Sequence, residues 1–177
     1  MIQMTIEKQM PSNNASLETR LADLEARVRI MEDKAKLTDL LNYYARTLDL
    51  ATSDPSYWPN WESCFTEDCT AEYPYGRHEG REGLSAWVSS YHAPIHAFQH
   101  LSSNFEIEID GDTARARTNL FCACVFNADN PRDYFAEGGP YEWEFRRTAE
   151  GWKIKSVHLT VVWIAGNDEA AIGPDSL

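Results

Sequence analysis

The chain changes its hydrophobic period midway, and that switch constrains its fold more than any other feature. In the first half apolar residues recur every three or four positions, as at Leu37, Leu40, Leu41, Tyr44, Ala45 and Leu48, the rhythm of a helix with one buried stripe. In the second half they alternate. Phe105-Glu106-Ile107-Glu108-Ile109 and then Thr113 to Phe126 read as strands, joined by the hairpin signal Asp110-Gly111-Asp112. Tyr141 to Arg147 and Trp152 to Trp163 form a second alternating pair around Ala149-Glu150-Gly151, while Asn127 to Pro140 has loop composition. Helices followed by strands predict an α+β fold, with helices packed on one face of a curved antiparallel sheet.

Within the helical half, Ser53-Asp54-Pro55-Ser56 breaks the pattern after Asp49. Tyr57 to Phe65 reads as a short aromatic helix ending in a turn at Thr66-Glu67-Asp68, and a third helix is expected from Arg81 to Tyr91, closed by Pro94. Further upstream, Leu17, Leu21, Leu24, Val28 and Met31 are spaced four, three, four, three, an a/d seam with charges between. That spacing fits an amphipathic helix on its own domain as well as a short intermolecular coiled coil. The organisation expected is a disordered tail over 1–14, a helix over 15–34, one domain over 35–165 and a tail over 166–177.

Charge narrows the partners. Sixteen Lys and Arg against 28 Asp and Glu leave a formal charge of −12, a field that repels phosphate backbones and anionic lipid surfaces. No nucleic acid and no membrane are therefore expected as partners. The longest apolar runs, such as Leu120 to Phe126, are far shorter than the roughly 20 residues of a membrane span, and Met1 to Ser12 has no apolar core of a secretory signal. A cytoplasmic location is expected. Cys64, Cys69, Cys122 and Cys124 contain no Cys-x-x-Cys pair and read as reduced, buried small hydrophobes.

Several motifs stand in a suggestive order: a helix with Leu48-Asp49 near its end, the aromatic helix, Phe65-Thr-Glu-Asp-Cys-Thr-Ala71, Gly80-Arg-Glu-Gly83, Gln99-His100 leading into a strand, Asp110-Gly-Asp-Thr-Ala-Arg115, and Glu150-Gly-Trp-Lys-Ile154. Over about Ala35 to Ala165 this order resembles a SnoaL-like domain of the nuclear transport factor two-like superfamily. The resemblance implies a cone-shaped curved sheet wrapped around helices, with the helix before Ala35 as an addition. In the scytalone dehydratase, dehydrochlorinase and bile-acid dehydratase branch of that superfamily, a helix-end Asp pairs with a His at the start of a strand; the corresponding positions here are Asp49 and His100.

That correspondence implies a cofactor-independent lyase, dehydratase-like, acting on a small apolar and cyclic substrate. His100 would take the proton and Asp49 would fix its tautomer. Tyr73, by the same resemblance, would assist the leaving group, with Tyr44, Trp61, Tyr75, Phe98, Asn104, Phe121 and Trp143 lining the substrate pocket. The plain alternatives are a solvated Asp at a helix end, a hydrogen-bonded core histidine and ordinary aromatic packing. A rival function is a non-catalytic ligand-binding or assembly module resembling a dioxygenase small subunit, and a further one is a ketosteroid-isomerase-like isomerase. The scytalone pattern has a second histidine on the strand after the hairpin, and Thr118 to Phe126 has none.

His92, His96 and His100 repeat every four residues, but Pro94 breaks the helix they would need to share. No metal and no cofactor are expected. Trp143, Phe145 and Trp163 exceed what one sheet face can hide, which points to a homodimer or homotrimer through the sheet.

Overall fold

The computed structural model describes residues 13–167, so the tails expected over 1–14 and 166–177 lie largely outside the described residues. Helix α1 runs without interruption over Asn13–Ser53, and Pro55 then opens a single 3-10 turn capped by the Asp54 carboxylate on the Ser56 N–H. Helix α2 (Trp58–Glu62) and helix α3 (Leu84–His92) follow, with the strand pair β1 (Phe65–Tyr73) and β2 (Gly76–Glu79) between them. The remainder is sheet: β3 (Ala97–Asp110), β4 (Thr113–Val125), β5 (Tyr134–Thr148), β6 (Gly151–Leu159) and β7 (Trp163–Gly166). Chain contacts divide the molecule into a short unit ending at Asp33 and a main unit beginning at Lys34.

The main unit has the α+β cone architecture, with a seven-stranded sheet in the order β2-β1-β6-β5-β4-β3 and β7 beside the first part of β5. The sheet is mixed rather than wholly antiparallel, because β1 runs parallel to β6. Two local readings also change. Thr66-Glu67-Asp68 lies inside β1 instead of forming a turn, and residues 134–140 belong to β5 instead of a loop. Gly138, Gly139 and Pro140 gave that stretch loop composition. In the fold the glycines are required by close approach: a Cβ on Gly138 would overlap the Trp163 ring, and one on Gly139 would overlap the Thr160 carbonyl.

The core forms where the helices meet one sheet face. Leu37, Leu41, Tyr44 and Leu48 of α1 are buried with Trp61, Phe65, Leu84, Val88, Trp143, Phe145, Ile154 and Val157. The expectation that Trp143 and Phe145 surplus the sheet is thereby corrected: alternation turns both inward, each only 2% exposed. The outward positions of the same strands carry charge, as at Glu106, Glu108, Arg115, Arg117, Glu142 and Glu144.

One irregularity in β3 decides which residues reach the core. Side chains alternate with period two, so His100 and Ile107, seven positions apart, should face opposite ways. They share a face because the pairing of β3 with β4 slips between Ser103 and Glu106. Asn104 absorbs the slip with a φ of 55°, a left-handed conformation that Asn tolerates better than most residues. Asn104 itself is exposed, so its expected place in the substrate pocket is corrected to a backbone role. We expect Asn104→Gly to be near neutral and Asn104→Val to lose about 1–2 kcal/mol of stability, measured by urea unfolding; equal stabilities would show that the slip does not depend on a left-handed residue at this position.

Candidate active site

Asp49 lies one turn before the end of α1, where the carbonyls of the helix terminus disfavour a negative charge. Its carboxylate is held there by three contacts from one residue of β3. Asp49 Oδ1 is 2.6 Å from His100 Nδ1, and both carboxylate oxygens stand 3.1 Å from the His100 backbone N–H. The His100 side chain is 7% exposed and that of Asp49 22%. Accepting from the backbone fixes the strand, and engaging Nδ1 fixes the ring. Nε2 is then the nitrogen through which the imidazole can act.

The sheet register places two more side chains beside this pair. His100 is directly opposite Cys122 on β4, and Cys122 is opposite Glu137 on β5, so all three project from one face in a single row across adjacent strands. Two strand spacings put the His100 and Glu137 backbones roughly 10 Å apart. Burial raises the Glu137 carboxyl above its ordinary range, with His100 opposing that rise. Burial likewise raises the thiol of Cys122, which feels both Glu137 and Asp49, and makes it a poor nucleophile. Glu137 is the residue that sequence reading missed, since it stood in a stretch with loop composition. Alternation extended back from Tyr141 would have pointed to it.

An aromatic wall completes the arrangement. Tyr75, from the turn between β1 and β2, stacks on Tyr91 with centroids 4.4 Å apart and senses the Glu137 charge. Phe98 packs 5.0 Å from the His100 ring and 4.7 Å from His92. Burial pushes the phenol of Tyr75 well up, so it holds its proton at any ordinary pH. These are groups that can take, hold or give a proton beside an apolar surface.

The other expected site residues divide between the core and the opposite sheet face. Tyr73 is buried, its hydroxyl is 2.8 Å from that of Tyr44, and its ring stands 5.4 Å from that of Tyr75, so the tyrosine pair continues the aromatic wall into the core. Trp61 packs on Tyr44 and Phe65, and Trp143 donates its indole N–H to Thr118 at 3.0 Å. Phe121 is corrected outright: it neighbours Cys122 in β4, so alternation turns it to the opposite sheet face, 47% exposed and against Trp163. Among the described residues no group of three or more His, Cys, Asp or Glu side chains is arranged to hold a metal ion. Nor is any described helix long and apolar enough to cross a membrane.

His92 is buried with its Nδ1 lacking a hydrogen-bond partner among the described residues. Burial, assisted by the nearby His100, pushes it from 6.5 down to about 3. Above pH 6.5 both folded and unfolded chains carry it neutral, so it adds no pH dependence there. Below that value the unfolded chain binds a proton that the native chain refuses, and stability falls with pH, by about 2–3 kcal/mol at pH 4.5. We expect His92→Phe, which keeps a ring and deletes the titration, to resist acid better than the wild type. Calorimetry at pH 7.5 and 4.5 checks this; melting temperatures that fall equally in both proteins would assign the acid sensitivity to other groups.

A family model described as a SnoaL-like domain matches residues 29–158. An uncharacterised protein of Mycobacterium tuberculosis H37Rv is 30% identical over 129 residues, covering 71% of this chain and 87% of its own length. Among solved structures, a candidate aromatic ring hydroxylase from Novosphingobium aromaticivorans superposes with a TM-score of 0.66 at 26% identity, over 80% of this chain and 97% of that one. A candidate scytalone dehydratase from the same organism gives 0.60 at 20% identity, over 85% and 91%.

Proposed function

The chain belongs to the SnoaL-like family, and from that premise we propose that it is a cofactor-independent lyase that removes water from a small apolar, cyclic β-hydroxy carbonyl compound. The observation that carries this reading is the 2.6 Å contact between His100 Nδ1 and the Asp49 carboxylate on a nearly buried ring. That contact leaves Nε2 as a base of fixed tautomer and provides an anion to stabilise the imidazolium formed during transfer.

The elimination runs as follows. His100 Nε2 takes the proton on the carbon next to the carbonyl. The C–H electron pair becomes the new carbon–carbon double bond, and the bond to the β-hydroxyl breaks. The departing oxygen takes a proton from the Glu137 carboxyl and leaves as water. Burial suits Glu137 to that task because it keeps the carboxyl protonated to higher pH than usual. The imidazolium then returns its proton to Glu137, through solvent or the released water, and the site is reset. Tyr75 and Phe98 exclude water and favour an apolar ring. The similarity to a candidate scytalone dehydratase is one of fold and agrees with this chemistry without naming the substrate.

The second reading is a non-catalytic ligand-binding or assembly module. One experiment separates the two. Wild type and His100→Ala are incubated with a panel of β-hydroxy carbonyl and cyclic alcohol compounds, and products are followed by mass. A loss of water that falls on the order of a hundred- to ten-thousandfold in His100→Ala supports the lyase. Its absence across the panel supports the module.

The same assay assigns the partners. Asp49→Asn should lower turnover by on the order of a hundredfold or more, since it offers the wrong hydrogen-bond partner to Nδ1. Glu137→Gln should lower turnover and abolish the alkaline limb of the pH profile, while substrates with a better leaving group than hydroxide should be spared most of that loss. A Glu137→Gln enzyme with an unchanged profile would leave Tyr75 as the proton donor.

A further inference from the structure

The first part of α1 carries a surface that the chemistry above does not use. Leu17, Leu21, Leu24, Val28 and Met31 are each 50–70% exposed, and their spacing of four, three, four, three keeps them on one side of the helix. Taking Leu21 and Val28 as heptad a positions makes Leu17, Leu24 and Met31 the d positions. The flanking positions then sort by charge: Glu18, Glu25 and Glu32 fall at e, and Arg20, Arg27 and Lys34 fall at g.

That sorting selects a partner and an orientation. In a parallel two-stranded coil each g residue faces the e residue of the next heptad on the other strand. Arg20 would meet Glu25 of a second copy and Arg27 would meet Glu32, each contact occurring twice by symmetry. In an antiparallel pair g faces g and e faces e, which sets arginine against arginine and glutamate against glutamate. Leucine at d with valine at one a position fits two strands. Arg27 stands 3.9 Å from Asp23 within its own helix, both about two-thirds exposed, an ion pair too weak to hold the guanidinium in place.

We propose that residues 17–34 pair with the same segment of a second copy of this chain, in parallel and in register, making the protein a coiled-coil dimer. The seam is short, so its affinity leans on the charge pattern as well as on the apolar stripe.

The test uses the full chain in sedimentation equilibrium at micromolar concentrations. The wild type should be dimeric. Leu21→Asp with Leu24→Asp should raise the dimer dissociation constant by about a hundredfold or more, with an unchanged circular dichroism signal from the sheet. Glu18→Arg, Glu25→Arg and Glu32→Arg together should also weaken it, as should Arg20→Glu, Arg27→Glu and Lys34→Glu together, and a one-to-one mixture of those two variants should restore a dimer. Under mild oxidation Leu17→Cys should cross-link to itself. A monomeric wild type, or a dimer indifferent to the seam and charge variants, would overturn the proposal. So would a Leu17→Cys chain that cross-links to a Met31→Cys chain in preference to itself, which is the antiparallel result.

Discussion

Everything in the site depends on a carboxylate placed where a helix does not favour one. Asp49 lies in the last turn before Ser53, and its charge is compensated by the backbone N–H and ring nitrogen of a single residue, His100. This joins the end of α1 to the beginning of β3 by hydrogen bonds to an ion, about twice as strong as neutral ones. The helix thereby gains a partner for its charge, and the strand gains a fixed starting point. The imidazole gains a defined tautomer. Structure and proposed chemistry thus rest on the same three contacts.

The sheet converts that anchor into a site. His100, Cys122 and Glu137 are separated by 22 and 15 positions in the chain, yet register sets them side by side on one face. Their surroundings are aromatic, and the desolvation that raises the Glu137 carboxyl also lowers His92. A carboxyl whose proton affinity is raised, two strand spacings from an imidazole with a carboxylate behind it, supplies the donor and the acceptor of protons that the proposed chemistry uses. The neighbouring Cys122 contributes volume rather than reactivity, because burial holds its thiol protonated.

Helix α1 serves two purposes along its length. Between Leu37 and Ala51 the stripe of Leu37, Leu41, Tyr44, Ala45, Leu48 and Ala51 is buried and packs into the core of the main unit. From Leu17 to Met31 they are exposed, and the charges beside them are sorted by heptad position. The chemistry needs the first stretch and not the second, so a separate purpose for the second is consistent with an otherwise unexplained order of Glu and Arg.

Period alone was enough to read the fold class and most of the elements. The helical stripe of Leu37, Leu41, Tyr44 and Leu48 and the alternation of Ile107, Ala114 and Ala116 appear in the structure as buried faces, with Ile109 half-buried beside them, because local hydrophobic spacing is a property of the chain itself. Asp49 and His100 could be named from their order among loose motifs, but nothing local to either shows that they touch. Tertiary structure decided what depends on pairing. The slip at Asn104 turned His100 to the core face, the partner strands drew Glu137 out of a glycine-rich stretch into β5, and the parity of β4 turned Phe121 away. Register is set between strands distant in sequence, and a shift of one residue exchanges the two faces, so the faces that carry the site could be known only once the strands were paired.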